Sequence, residues 1–205
     1  MRDLVAVGSL DALRGALVVG DVEVSEASDV VAVLTAAAFV GATEAAIELS
    51  ALFEGTGATV EALMNVDRAS SDEPYFARRV AEADLVVLAD GSALHAKSVW
   101  RGSALGEAIR HAAHVVAIGS VASVLTETMI DPRGGAPTTG LGYVEGLAIT
   151  TNVGEEQLNR TRSLLGDDVR LAVLGPLGAV RYDGSTWHAL NADVVTTRAL
   201  EVVPL

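Results

Sequence analysis

The chain has 205 residues, half of them apolar, with 14 basic and 27 acidic side chains and a formal net charge of −13. This length predicts one domain, residues 1–205, with a large aliphatic core. The acidic balance argues against a nucleic-acid binder, which needs a basic face. The absence of cysteine excludes disulfides, thiolate nucleophiles and cysteine-based zinc sites. With no apolar run as long as a membrane span and no secretory-signal layout, we expect a cytoplasmic protein.

Short apolar runs alternate with helical patterns along most of the chain. Val-, Leu- and Ala-rich runs predict strands at residues 4–8, 15–20, 30–34, 59–64, 85–88, 115–118 and 147–150. Apolar spacing predicts helices over residues 36–53, 74–83, 104–113 and 155–165, and others opening near 94 and 120. Residues 131–140 predict a long polar loop, and residues 182–187 are typical of a hairpin. The alternation predicts an α/β fold, a doubly wound, mostly parallel sheet with helices on both faces.

One strand runs directly into a Gly-Ser pair, Gly119 and Ser120, and the chain continues with small residues at helical spacing. A serine at such a sharp turn can act as a nucleophile, because the turn lifts its hydroxyl above the sheet towards backbone N–H groups. The usual form is G-x-S-x-G, whereas Ile118 and Ala122 stand at the two glycine positions here. The pattern therefore predicts a strand-to-helix corner with Ser120 as its candidate nucleophile. A small polar residue that merely fits the corner is an equally good interpretation.

A serine nucleophile needs a base, normally histidine, within hydrogen-bond reach. We expect His111 and His114 at the far end of the sheet, and His188 in a strand beside the hairpin. His95 follows a loop that a parallel sheet places at the same edge as Ser120. His95 is therefore the one candidate base, with a plain surface position as the competing interpretation.

Two loops offer polar groups to a ligand. The loop Asp90-Gly91-Ser92 could direct backbone N–H groups at an oxyanion or a carboxylate, or could be an ordinary strand-to-helix turn. Arg133, in the loop that follows the Ser120 helix, could hold a ligand carboxylate, or that loop could be a structural cap. Neither a phosphate-binding loop nor metal-ligand spacing is present, so we expect no cofactor and no metal.

With these residues in place, the chain resembles the cyanophycinase and dipeptidase E family of serine peptidases, which have a class I glutamine-amidotransferase-like fold. The resemblance is strongest over residues 85–147. It rests on residues 127–131 and 140–147, which follow the nucleophile helix, and on the ungapped register of residues 94–105.

This resemblance implies a damaged active site. It places Ser120 at the nucleophile, Asp90 and Gly91 in the loop that supplies oxyanion contacts, and Asn152 where the family has its catalytic histidine. Asparagine cannot accept a proton at neutral pH, and loss of one triad member costs roughly four to six orders of magnitude in rate. A carboxylate at Asp90 would repel a developing oxyanion.

Two hypotheses follow. In the first, the chain has lost hydrolysis and acts by binding, either a small peptide-like ligand over Ser120 and Gly91 or another subunit, in a homodimer or a pair with a homologue. Its premise is that no proton acceptor touches the Ser120 hydroxyl. In the second, the chain is a serine hydrolase in which His95 is a relocated base, oriented by Asp90 and within about 3.2 Å of Ser120 Oγ. A glutamine-amidotransferase activity would need the cysteine nucleophile that this chain lacks.

Overall fold

The computed structural model describes residues 1–166, 168–191, 194–196 and 201–202. The strands are β1 (Asp3–Val7), β2 (Asp29–Val33), β3 (Thr59–Leu63), β4 (Leu85–Leu88), β5 (His114–Ile118), β6 (Thr128–Ile130), β7 (Pro137–Thr139), β8 (Ala148–Thr151), β9 (Leu171–Leu174), β10 (Ala179–Tyr182), β11 (Trp187–Ala189), β12 (Val194–Thr196) and β13 (Glu201–Val202). The α-helices are α1 (Leu10–Val19), α2 (Ala42–Phe53), α3 (Arg68–Ser71), α4 (Pro74–Glu82), α5 (Ala93–Trp100), α6 (Ala104–His111), α7 (Ala122–Leu125) and α8 (Glu155–Leu164).

The main sheet is mostly parallel. Its strand order is β13-β11-β10-β1-β5-β4-β2-β3. Strands β1, β5, β4, β2 and β3 pair in parallel, while the predicted hairpin of β10 and β11 adds an antiparallel edge beside β1. Smaller sheets join β8, β9 and β12, and β6 with β7. The predicted α/β class is therefore confirmed.

Helices cover both faces of this sheet, because its central strands are apolar on both sides. Along β2, Val31 and Val33 pack into one core, whereas Val30 and Ala32 pack into the other. The first core includes Trp100 from α5, and the second includes residues of α1 and α2. The parallel strands end at one edge of the sheet, and the candidate site lies there.

The predicted strand at residues 15–20 is wrong, because this segment forms the second half of α1. Ser9 caps the helix by accepting a hydrogen bond from the Ala12 N–H, and Gly20 ends it in the left-handed conformation, with φ 82°. A short apolar run does not distinguish a strand from a helix, and here the capping residues and the burial of Leu13 and Ala16 favour the helix.

Two other boundaries differ from the prediction. The helix expected over residues 36–53 is divided into a 3-10 turn, Thr35–Phe39, and α2, because Gly41 between them has φ 118°. The loop expected over residues 131–140 contains β7, which pairs with β6. Across the described residues, no helix combines the length and apolarity needed to cross a bilayer.

Candidate active site

The corner after β5 lies one residue before the serine. Gly119 follows the last residue of β5 directly and has φ 62°. The chain then enters a 3-10 turn, Gly119–Val121, that leads into α7. Ser120 lies within this turn and outside the left-handed region. In a strand-turn-helix elbow, the nucleophile occupies the strained position of the turn. Here that position is Gly119, and its main-chain conformation is one that glycine adopts freely.

The carboxylate of Asp90 contacts this corner from the neighbouring strand. Since β4 and β5 are parallel neighbours, the loop after β4 lies beside the turn after β5. Asp90 Oδ1 accepts hydrogen bonds from the N–H of Gly91, at 2.7 Å, and from the N–H of Ser120, at 2.9 Å. One carboxylate oxygen, Asp90 Oδ1, thus accepts from both N–H groups that point into the corner.

Asp90 also fills the space that a side chain at Gly119 would need. A Cβ built on Gly119 would lie 2.2 Å from Asp90 Cγ and 2.4 Å from Oδ1. In a serine-hydrolase elbow, the oxyanion is held by the N–H after the nucleophile and by an N–H from an adjacent loop. The N–H groups of Ser120 and Gly91 have those positions relative to Gly119, and both are bound to the protein's own carboxylate.

The Ser120 hydroxyl has two acceptors within reach. Its Oγ lies 2.8 Å from the carbonyl oxygen of Gly91 and 3.1 Å from Asp90 Oδ1. The expectation that no proton acceptor touches this oxygen is therefore wrong, because a carboxylate does. The single hydroxyl proton has its shorter contact with a peptide carbonyl, which cannot take it, and Oδ1 already accepts two N–H groups.

His95 is engaged elsewhere. Its Nε2 lies 2.6 Å from the carbonyl oxygen of Val66, and its ring packs edge-on against Phe39 at 4.6 Å between centroids. A ring nitrogen bound to a carbonyl carries the proton, which leaves Nδ1 as the only nitrogen able to accept one. Within the described part of the chain, no hydrogen bond joins His95 to Ser120 or to Asp90.

Ser92 and Gly91 shape the loop after β4. The Ser92 hydroxyl caps α5 by accepting a hydrogen bond from the His95 N–H, and its own N–H donates to the carbonyl oxygen of Ala36 at 2.7 Å. Gly91 has φ 148° and passes so near the chain that an added Cβ would lie 2.2 Å from the same carbonyl oxygen. Only glycine fits there, and the tight passage fixes the direction of the Gly91 N–H.

The structure brings Asn152 to the site and leaves Arg133 outside it. Asn152 follows β8, has φ 51°, and donates from Nδ2 to the Gly8 carbonyl oxygen at 2.9 Å. It lines a small cleft of about 90 Å³ together with Ser120. The Arg133 side chain is 74% exposed and is held by both carboxylate oxygens of Asp131. That contact keeps the pKa of Asp131 below its usual range.

Sequence reasoning missed a larger groove beside the corner, whose walls include Ser9, Glu44 and Glu48. The Ser9 cap was the available signal, because it marks the start of the helix whose second half we predict as a strand. Where the structure describes the chain, no group of three or more His, Cys, Asp or Glu side chains could hold a metal ion.

The mostly parallel sheet with helices on both faces and a site at its carboxyl edge define an α/β protein. Solved structures share this fold, among them two proteins described as peptidases. A peptidase from an acI-B1 Actinobacterium is 16% identical, with a TM-score of 0.73, over 98% of this chain and 91% of its own. A Listeria monocytogenes EGD-e protein assigned as a peptidase E is 14% identical, with a TM-score of 0.68, over 97% of this chain and 99% of its own. No family model and no curated protein matches the sequence. At such identities the likeness establishes the fold, and the chemistry has to be argued from this chain's residues.

Proposed function

We propose that this protein has the fold of the cyanophycinase and dipeptidase E peptidases but is a non-hydrolytic binding protein. The observation that supports this most directly is the position of Asp90 Oδ1 on the N–H groups of Gly91 and Ser120. Hydrolysis of a peptide bond develops negative charge on the substrate oxygen, and donors aimed at that charge supply much of the catalysis. The two donors that would serve an elbow at Gly119 are occupied by Asp90, and the charge beside them has the wrong sign.

The groups around the Ser120 hydroxyl support the same proposal: among the described residues no histidine bonds to it, and the carboxylate that contacts it, Asp90 Oδ1, already accepts two N–H groups. A serine hydroxyl attacks efficiently only when a neighbouring base takes its proton. The His95 ring bonds to the Val66 carbonyl oxygen, and the Asn152 amide bonds to the Gly8 carbonyl oxygen, so neither side chain is placed to take the Ser120 proton. The function that remains is binding at the carboxyl edge of the sheet. The partner would be a small peptide-like ligand or a second subunit, which could be another copy of this chain or a homologue. The absence of cysteine agrees with a cytoplasmic location.

The test is reaction with a fluorophosphonate probe, together with hydrolysis assays on acidic and basic dipeptides. We expect neither labelling nor turnover from the purified protein, while an active serine peptidase run alongside shows both. Stoichiometric labelling that Ser120→Ala abolishes would overturn the proposal.

A serine hydrolase that uses Ser120 is the second candidate, and the 3.1 Å contact between Ser120 Oγ and Asp90 Oδ1 favours it. In that case Asp90 would be the base, so the probe should label the unmodified protein and should not label Asp90→Asn. If Asp90 instead blocks the site, the probe should not label the unmodified protein at all.

A further inference from the structure

A groove of about 540 Å³ lies beside the blocked corner, at the carboxyl edge of the main sheet. Asp90 and Gly91 form one side of it, and the first two turns of α2 form another. Its volume falls in the range of sites that hold small ligands or one or two side chains of a peptide. Ligands of open α/β sheets bind at this edge.

The groove is apolar inside and at its lip. Ile118 and Leu49, which line it, are 4% and 2% exposed. At the lip, Val40 is 69% exposed. Phe39, the preceding residue, does not line the groove but is 75% exposed, with its ring against His95. Large apolar side chains left open around a concavity are typical of a surface that contacts a ligand or partner.

All the charged side chains that line the groove are acidic. They are Glu44, Glu48 and Asp90, and within the described residues none of them forms an ion pair with a lysine or arginine. Glu44 and Glu48 lie one turn apart on α2, where like charges repel. Glu44 has a local role, since negative charge in the first turn of a helix is favourable, but Glu48 lies beyond that turn.

We propose that this groove binds a peptide segment carrying a lysine or arginine side chain next to aliphatic residues. The cation would lie between Glu44, Glu48 and the Asp90 carboxylate, and the aliphatic groups would cover Val40 and the buried apolar lining of Leu49 and Ile118. A second copy of this chain is a poor occupant, because its net charge of −13 would oppose the acidic groove. The inference rests on the proposed binding function and names the ligand class of that site.

The test uses three tripeptides with blocked termini: acetyl-Leu-Lys-Leu-amide, its acetyl-lysine counterpart and acetyl-Leu-Glu-Leu-amide. Backbone amide shifts in two-dimensional NMR spectra report binding and its location. We expect the lysine peptide to shift residues 40–49 and 89–91, and the neutral and acidic peptides to leave them unmoved. Raising the salt concentration from 20 to 200 mM should weaken binding several-fold, since partly exposed charges are screened.

A pair of double variants isolates the groove. Glu44→Gln with Glu48→Gln should weaken the lysine peptide by about five-fold or more, given the usual strength of two exposed ion pairs. Glu155→Gln with Glu156→Gln makes the same change in net charge in the exposed first turn of α8, outside the groove, and should leave affinity unchanged.

The outcomes separate this inference from the proposed function. Equal binding of all three peptides, or equal loss in both double variants, overturns the cationic groove and leaves the non-hydrolytic proposal standing. Binding of the lysine peptide followed by its cleavage overturns the non-hydrolytic proposal and leaves the groove standing. No shift with any peptide overturns the groove.

Discussion

If Asp90 fills the corner, Gly119 and Asp90 must be energetically coupled. Gly119→Ala introduces a Cβ 2.2 Å from Asp90 Cγ, so the carboxylate must leave. Its departure forfeits two hydrogen bonds, from the Gly91 N–H and the Ser120 N–H, because the Ser120 hydroxyl proton keeps its contact with the Gly91 carbonyl oxygen. At a net value of about 1.5 kcal/mol for each bond to a charged acceptor, less the water that replaces them at this exposed site, the loss is about 2 kcal/mol. Alanine at a φ of 62° adds about 1 kcal/mol.

The expected cost of Gly119→Ala is therefore about 3 kcal/mol in the natural protein and about 1 kcal/mol in an Asp90→Ala background, where the overlapping atoms are gone. The coupling free energy is about 2 kcal/mol, within the range found for residues in contact. Urea denaturation followed by tryptophan fluorescence measures it, because Trp100 and Trp187 are both buried.

Asp90→Asn is the matched control, since it keeps the side-chain volume and should retain most of the coupling. Additivity of Gly119→Ala and Asp90→Ala to within about 0.5 kcal/mol would refute the occupied corner. The proposal of a blocked oxyanion site would then lose its main support.

The positions of the strands follow from the sequence for a physical reason. A strand covered by helices on both faces has no polar side, so it becomes a continuous apolar run, as at residues 30–34 and 85–88. Parallel strands also end at one edge, which is why the loop at Asp90 could be expected beside Ser120 before any coordinates. The expected repulsion between the Asp90 carboxylate and an oxyanion follows from the same placement.

Two features could not be predicted because they depend on dihedral angles and atomic positions, which the pattern of residue types does not determine. Whether the corner falls on Gly119 or Ser120 is a difference of one residue in φ, and the Gly-Ser pair permits both. The contact of Asp90 Oδ1 with Ser120 requires a side-chain rotamer, and the sequence does not determine one. The prediction of a strand at residues 15–20 is wrong for another reason, because a short run of apolar residues fits a strand as well as one face of a helix.

Three further substitutions test the fold. Gly91→Ala should cost more than about 2 kcal/mol, because the new Cβ meets a backbone carbonyl that cannot move aside, whereas Gly15→Ala, with open space in the exposed interior of α1, should stabilise by roughly 0.5–1 kcal/mol. A loss at Gly15 would count against the helix found there. Hydrogen bonds from Tyr75 and Arg79 lower the pKa of Glu61 below its ordinary 4.5. The stabilisation of the folded state by these contacts is therefore fully present above pH 4.5, and it is lost as the pH falls through the lower pKa that Glu61 has in the folded protein. Glu61→Gln should cost up to about 1 kcal/mol at pH 7 and less at pH 3 in urea titrations, and equal losses at both pH values would show that the carboxylate charge has no part in it.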